Sequence, residues 1–407
     1  MSGSQCSEPE RELRSLAVQS LSSALFLVIA RLALFGSYSS CFGRYGVLIW
    51  IVWGIPGTVC GIQVMLTMFA LYCNLVLTRR CNLRCKSCGV WKHPTQELST
   101  GDMNAALDKM IRLKRPGVIG ITGGEPLLRP DVYEIIDHIS RQGIDVDINS
   151  NGTLSKERYQ RLLDSQVSRI GISLGFLTPE RQDEFCGVAG TWDRVIANLR
   201  HLRANNNGKF VYVQNTLTGY NYKEVMRLKE FVNGELGLPF MLVPATWGKD
   251  CAQLRTANKE LSKVDAAFEA TKSELKRFLG MRVLRGKSFL EIAFEVFEKG
   301  GRRWNCKAGS WYYAISPDGR FCVCQDFDTD LFILNKAFEE QLRSRETKRE
   351  ISKIRNGCSG CTYPCYLETQ TLMTHPWELV PKGIAYFWWR ARLAAIQRTT
   401  DQEGAVQ

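Results

Sequence analysis

The chain has 407 residues, 15 of them cysteine, and a formal net charge of +12. Such a length accommodates a catalytic domain of about 180 residues with a second domain and appendages. The basic balance would suit nucleic acid, but no binding module or aromatic-basic repeat accompanies it, so nucleic acid is not an expected partner.

The first elements are apolar. Leu16 to Phe35 carries a single charge, Arg31, and Tyr45 to Thr78 carries none. Only the end of the second run is needed for a first strand, which leaves Tyr45 to about Phe69 long enough to cross a bilayer, a span of about 20 residues. Residues 1–69 therefore read as an N-terminal membrane segment of two hydrophobic helices, with membrane lipids as partner and the rest of the chain in the cytoplasm. Two alternatives stay open. Arg31 could hold the first run in the interface, and a start at Met65 or Met68 would give a soluble cytoplasmic protein. A secretory signal would have a shorter apolar core and would send the thiols to an oxidising side.

Next comes Thr78-Arg79-Arg80-Cys81-Asn82-Leu83-Arg84-Cys85-Lys86-Ser87-Cys88. Cys81, Cys85 and Cys88 offer three thiolates where a cubane 4Fe-4S cluster normally takes four, leaving one iron free to bind a small molecule. A zinc loop or reduced core thiols are the alternatives. The run Val118 to Ile121 then reads as a strand entering the turn Thr122-Gly123-Gly124-Glu125-Pro126. Its glycines let the backbone approach a ligand, and the Glu125 carboxylate suits an ammonium group.

Short apolar strands continue to alternate with amphipathic helices. Strands are expected near Leu71–Thr78, Val118–Thr122, Asp145–Asn149, Arg169–Leu174, Phe210–Leu217 and Phe240–Val243, with helices such as Thr100–Leu113 and Asp131–Arg141. The fold class is α/β, a parallel sheet covered by helices, and ligands of such sheets sit at the carboxyl ends of the strands. The cysteine loop and the Gly-Gly-Glu turn fall there, as do Ser150-Asn151-Gly152, Ser173 and Asn215-Thr216.

Residues 249–302 read as a helical linker, and residues 303–368 carry a second cysteine set: Cys306, Cys324, Cys358, Cys361 and Cys365. Between Cys306 and Cys324 an aromatic strand, a Pro317-Asp318-Gly319 turn and a returning strand make a hairpin. Closing it brings these two cysteines together, and Cys358 and Cys361 complete four thiolates; Cys322 and Cys365 are spare or alternative ligands. Structural zinc is the competing reading. Residues 369–407 end the chain with a basic aromatic stretch, Lys382 to Arg392, suited either to an anionic leaflet or to packing on the sheet, and a polar tail.

Together the cysteine loop, the Gly-Gly-Glu turn and the strand rhythm resemble the radical S-adenosylmethionine (radical SAM) superfamily over about residues 70 to 245. The resemblance implies a partial (β/α)6 barrel, a 4Fe-4S cluster on Cys81, Cys85 and Cys88, and SAM chelating the open iron. It further implies that Gly123, Gly124 and Glu125 hold the methionine end of SAM, with Ser150, Ser173 and Asn215 near its ribose and carboxylate. Two departures stand out. Ser87 occupies a cofactor-binding position that is often aromatic in the family, which moves adenine packing to Trp91 or Leu217. Where many relatives have an acid and a glycine after the serine, this chain reads Ser173-Leu174-Gly175-Phe176.

The pattern C-x12-G-x4-C followed by C-x2-C resembles the twitch and SPASM auxiliary domains, implying one auxiliary 4Fe-4S cluster that accepts an electron or ligates substrate. An external one-electron donor such as flavodoxin or ferredoxin is implied. Expected chemistry is reductive cleavage of SAM to a 5′-deoxyadenosyl radical that takes hydrogen from a substrate, either lipid-linked or a peptide or small molecule. Cys186 is a candidate hydrogen-atom donor, or else an ordinary loop thiol. The alternative function is a membrane-associated iron-sulfur electron carrier or a SAM-binding sensor without turnover.

Overall fold

The computed structural model describes residues 69–245, 273, 286–299, 303–358, 360–378, 381–386 and 388–393. The expected membrane segment, most of the 249–302 linker and the polar tail lie outside the described residues. Among the described residues no helix is long and apolar enough to cross a membrane.

Six parallel strands run inward from one edge of the sheet in the order β6-β5-β4-β3-β2-β1: β1 (Phe69–Thr78), β2 (Arg115–Gly123), β3 (Asp145–Ser150), β4 (Arg169–Ser173), β5 (Phe210–Leu217) and β6 (Phe240–Pro244). All six lie where the hydrophobic pattern places them. Helices α1 (Thr100–Leu113), α2 (Val132–Arg141), α3 (Lys156–Asp164), α4 (Pro179–Cys186), α5 (Thr191–Ala204) and α6 (Val225–Gly234) connect them. Ser99 starts α1 by accepting from the Asp102 amide, a side-chain cap for an otherwise unpaired N–H. Asp131 occupies the N-cap of α2 without capping it, because its carboxylate is engaged by Arg129 at 2.9 Å and Thr100 at 2.7 Å.

Alternation sorts the side chains. One face of the strands presents Leu75, Ile121, Ile148, Ile170 and Val213, all fully buried, and each contributes roughly 1.5–3 kcal/mol on leaving water. In the register, Asn74 pairs with Gly120, Gly120 with Asp147, and Asp147 with Arg169, so these residues share the opposite face. That face is polar. Tyr212 donates to Asp147 at 3.0 Å, and the Arg169 guanidinium lies 3.4 Å from the same carboxylate. A Cβ on Gly120 would fall 1.9 Å from the Tyr72 hydroxyl, so glycine is what lets the tyrosine lie across β2.

The second cysteine region extends this sheet. Strand β7 (Tyr312–Ile315) pairs parallel with the free edge of β1, and β8 (Arg320–Cys324) and β9 (Phe327–Phe332) follow antiparallel. The expected hairpin is β7–β8, and Gly319 in its turn has φ 79°, a conformation glycine adopts without a Cβ penalty. Helix α7 (Lys287–Lys299) precedes it; α8 (Phe338–Arg343), α9 (Arg345–Gly357) and α10 (Pro364–Thr374) follow. Tyr366 of α10 stacks on Tyr312 with centroids 4.5 Å apart. Residues 381–386 and 388–393 are helical, and Tyr386 there stacks on Phe210 at 4.4 Å.

Candidate active site at the carboxyl ends of the strands

The cysteine loop leaves β1 at Thr78 and is held from three directions. Arg80 forms a two-pronged ion pair with Glu97 at 2.9 and 2.8 Å, and Thr78 donates to the same carboxylate. Asn151, at the end of β3, donates to Asn82 at 2.8 Å, and Asn82 donates to Thr153 at 2.8 Å. The amides of Arg84 and Lys86 donate to the carbonyls of Cys186 and Phe185, each at 2.9 Å. These last two bonds satisfy carbonyls at the end of α4 that the helix leaves unpaired.

Cys81, Cys85 and Cys88 are all half-buried. Burial raises the Cys81 thiol above its ordinary pKa, while the facing Cys186 thiol, and then burial, raise Cys85 further. Metal binding must therefore displace protons from both. Three partly accessible thiols on one tethered loop fit a cluster with one iron left open.

The Gly-Gly-Glu turn presses against this loop, backbone to backbone. The Gly124 amide donates to the Thr78 carbonyl and the Glu125 amide to the Arg80 carbonyl, both at 2.8 Å. Gly123 has φ 139°, and a Cβ there would sit 2.1 Å from the Thr78 carbonyl oxygen. Glu125 itself points inward: it is fully buried and accepts from the Leu127 amide at 3.1 Å, Ser150 at 3.0 Å and the Asn151 amide at 2.7 Å. Its carboxylate fastens the turn to the end of β3.

Burial pushes the Glu125 carboxyl up to about 7, outweighing its three donors, which lower it. A carboxyl raised on folding contributes stability that is complete below about 4.5 and is lost as pH rises through about 7. We expect the unfolding free energy of the wild type, relative to Glu125→Gln, to fall by about 3 kcal/mol across that window. Urea titrations under argon at a series of pH values measure it; a difference independent of pH contradicts the assignment.

Of the other expected cofactor residues, Ser150 is buried and donates to Glu125, whereas Ser173 is exposed at the end of β4. Asn215 is fully buried; its amide donates to the Leu174 and Gly175 carbonyls, and its Oδ1 has no partner. That orphaned acceptor fits the hydroxyl or ammonium donors of a nucleoside cofactor. Ser87 is half-buried beside Cys88. Leu217 is fully buried in the core, and Trp91 lies under the Arg84 guanidinium at 4.6 Å while its indole donates to the Cys88 carbonyl. Glu97 and Arg129, which clamp the base of the loop, carry no motif that would mark them in the sequence.

Cys186 is buried, with Gln182 donating to its sulfur at 3.3 Å. A side chain so enclosed, behind Cys85, reads as support for the loop. Cys186→Ala is expected to leave turnover and product unchanged and to cost about 1 kcal/mol of stability; a changed product would instead assign it the hydrogen-atom role.

In the second set, burial raises the Cys361 and Cys324 thiols above their ordinary pKa, with lesser contributions from Cys324 and Cys306 at Cys361, and from Asp326, Cys306 and Cys358 at Cys324. Cys365 accepts from Asn74 at 3.1 Å on the polar face of β1, and Cys322 is buried beside Asp328 at 3.5 Å. Among the described residues no three Cys, His, Asp or Glu side chains are gathered as ligands of a single ion; the thiolates of a cubane attach to separate irons.

Residues 75–232 match the family model of the radical SAM superfamily. The chain is 31% identical over 315 residues to the AdoMet-dependent heme synthase of Oleidesulfovibrio alaskensis, covering 72% of this chain and 80% of that one. It is 27% identical over 308 residues to the AdoMet-dependent heme synthase of Methanosarcina barkeri, covering 70% and 87%. A GTP 3′,8-cyclase of Aquifex aeolicus is 33% identical over 166 residues, 39% of this chain and 51% of that one. Among solved structures, native anSMEcpe with bound AdoMet and Kp18Cys peptide superposes with a TM-score of 0.51 at 13% identity, covering 81% of this chain and 99% of that one.

Proposed function

The chain belongs to the radical SAM superfamily and is an enzyme that carries a 4Fe-4S cluster and SAM; from that footing we propose that it acts on a polar substrate held against the polar face of its sheet, with an auxiliary cluster on Cys306, Cys324, Cys358 and Cys361. The bound cluster and SAM supply the chemistry, a one-electron cleavage that yields methionine and a 5′-deoxyadenosyl radical. The chain's own residues bind, orient and seal. Cys81, Cys85 and Cys88 would hold the cluster, the Gly123-Gly124 backbone packs against the cysteine loop, and the Glu97 and Asn151 tethers fix that loop to β1 and β3.

The observation that carries the substrate class is the composition of the inner strand face. Asn74, Asp147, Asn149, Arg169 and Tyr212 line it where an acyl chain would need apolar residues. The relatives reported above are named for heme synthesis and GTP cyclisation. A peptide or small polar molecule is therefore favoured over a lipid-linked one.

Electron acceptance is the favoured role for the auxiliary cluster. The stacked Tyr312–Tyr366 pair lies between the two regions: Tyr312 donates to Cys306 at 3.6 Å, and Tyr366 accepts from Asn74 at 2.8 Å.

Two experiments test the reading. Cys324→Ser and Cys361→Ser should each lower iron by about four per chain, whereas Cys365→Ala should not; unchanged iron in the first two removes the auxiliary cluster. Polar peptides or anionic small molecules should raise 5′-deoxyadenosine formation by the reduced enzyme, and a deuterium-labelled lipid that passes its label to 5′-deoxyadenosine, with no response to peptides or anionic small molecules, would overturn the substrate class.

A further inference from the structure

The C-terminal helical segment has two unlike faces. Ala385, Trp389 and Leu393 are buried, while Pro381, Ile384, Trp388 and Ala391 point outward in a stripe at helical spacing. Ile384 is 56% exposed and Trp388 40%, and Trp377, just before the segment, is 64% exposed. A surface helix ordinarily turns polar residues outward; here the outward stripe is apolar.

The segment's own charge is cationic. The sequence from Leu379 to Thr400 contains Lys382, Arg390, Arg392 and Arg398 and no acidic residue. Lys382 pairs with Glu368, and the Arg392 guanidinium lies over the Trp388 ring at 5.4 Å. Glu378, the nearest acid before the segment, turns inward onto Ser288 at 2.6 Å.

Position in the sheet supplies an independent observation. Tyr386 stacks on Phe210, the first residue of β5, and Arg390 donates to the Gly208 carbonyl just before it. The segment thus sits at the amino ends of the parallel strands. Strand β1 begins at that same end, at Phe69, and the cysteine loop leaves β1 at the other, about 30 Å away along a ten-residue strand.

We propose that this end of the sheet rests on an anionic membrane surface, with Trp377, Ile384 and Trp388 in the headgroup region, Arg390 and Arg392 toward the lipid phosphates, and the cluster loop facing away into the aqueous phase. Tryptophan and basic residues around an apolar stripe are the composition of interfacial helices. The arrangement lets the polar face open away from the lipid, where a polar substrate arrives.

The test uses the full chain with vesicles of mixed phosphatidylcholine and phosphatidylglycerol containing a photoactivatable phosphatidylglycerol, with adducts mapped by mass spectrometry. Adducts are expected at Trp377, Ile384 or Trp388, falling at least about tenfold in pure phosphatidylcholine. The Ile384→Glu, Trp388→Glu double variant should weaken vesicle partition by about tenfold while retaining SAM cleavage. Adducts confined to residues 1–69 overturn the proposal, as does cross-linking of the stripe to those residues or to a second copy of the chain. SAM cleavage, read separately, distinguishes failure of this inference from failure of the enzymatic reading.

Discussion

Gly124→Ala should unfold the cofactor turn and abolish SAM binding. The added Cβ would fall 2.1 Å from the Arg80 carbonyl oxygen, 2.7 Å from its carbon and 2.9 Å from the Arg79 carbonyl oxygen. All three are backbone atoms, so no side-chain rotation relieves the overlap. The turn would have to lift, breaking the amide bonds from Gly124 to Thr78 and from Glu125 to Arg80 and exposing the buried Glu125 to rearrangement. A loss of about 3 kcal/mol or more is expected, read by urea unfolding, with SAM affinity read by equilibrium dialysis. Gly234→Ala is the control. Gly234 ends α6 with nothing within 4 Å of its Cβ position, so the change should be neutral or slightly stabilising.

The second large effect is at the cysteine loop. Cys81→Ala, Cys85→Ala and Cys88→Ala should each remove about four irons per chain and bring 5′-deoxyadenosine formation below detection, because a cubane held by two thiolates has lost the geometry that leaves a single iron open. Fold should survive in all three variants: the Arg80–Glu97 ion pair, the Asn151–Asn82 bond and the amide bonds from Arg84 and Lys86 to the end of α4 need no thiol, although Cys81 also accepts from Asn151 at 3.9 Å and Cys85 faces Cys186. Circular dichroism and denaturation midpoints close to wild type, with iron lost, are therefore expected together. Iron retained in any one variant would take that cysteine out of the ligand set.

Much of this was legible in the sequence because parallel strands in a layered fold obey a simple alternation. Asp145-Val146-Asp147-Ile148-Asn149 shows it, apolar residues to the helices and polar ones to the other face. The cysteine spacing and the glycine pair were legible because each is local. What could not be read was long-range. Glu97 meets Arg80 across 17 residues with no periodic rule, and Asn74 reaches Cys365 across 291. The pairing of β7 with β1 makes the hairpin a continuation of the sheet, whereas the sequence suggested a separate domain; strand order is decided by which edge is free, and no residue in Tyr312–Ile315 encodes that. The structural partners of Glu125 were equally out of reach of the sequence. A carboxylate beside two glycines reads as a ligand group, but its inward turn depends on Ser150 and the Asn151 amide, 25 and 26 residues on.

The decisive measurement is anaerobic. The full chain is reconstituted with iron and sulfide, its iron counted, and dithionite and SAM added before assay for 5′-deoxyadenosine and methionine. About eight irons per chain, with deoxyadenosine formed even without substrate, is the predicted result; intact clusters that leave SAM uncleaved after reduction would contradict it and point to a carrier or sensor.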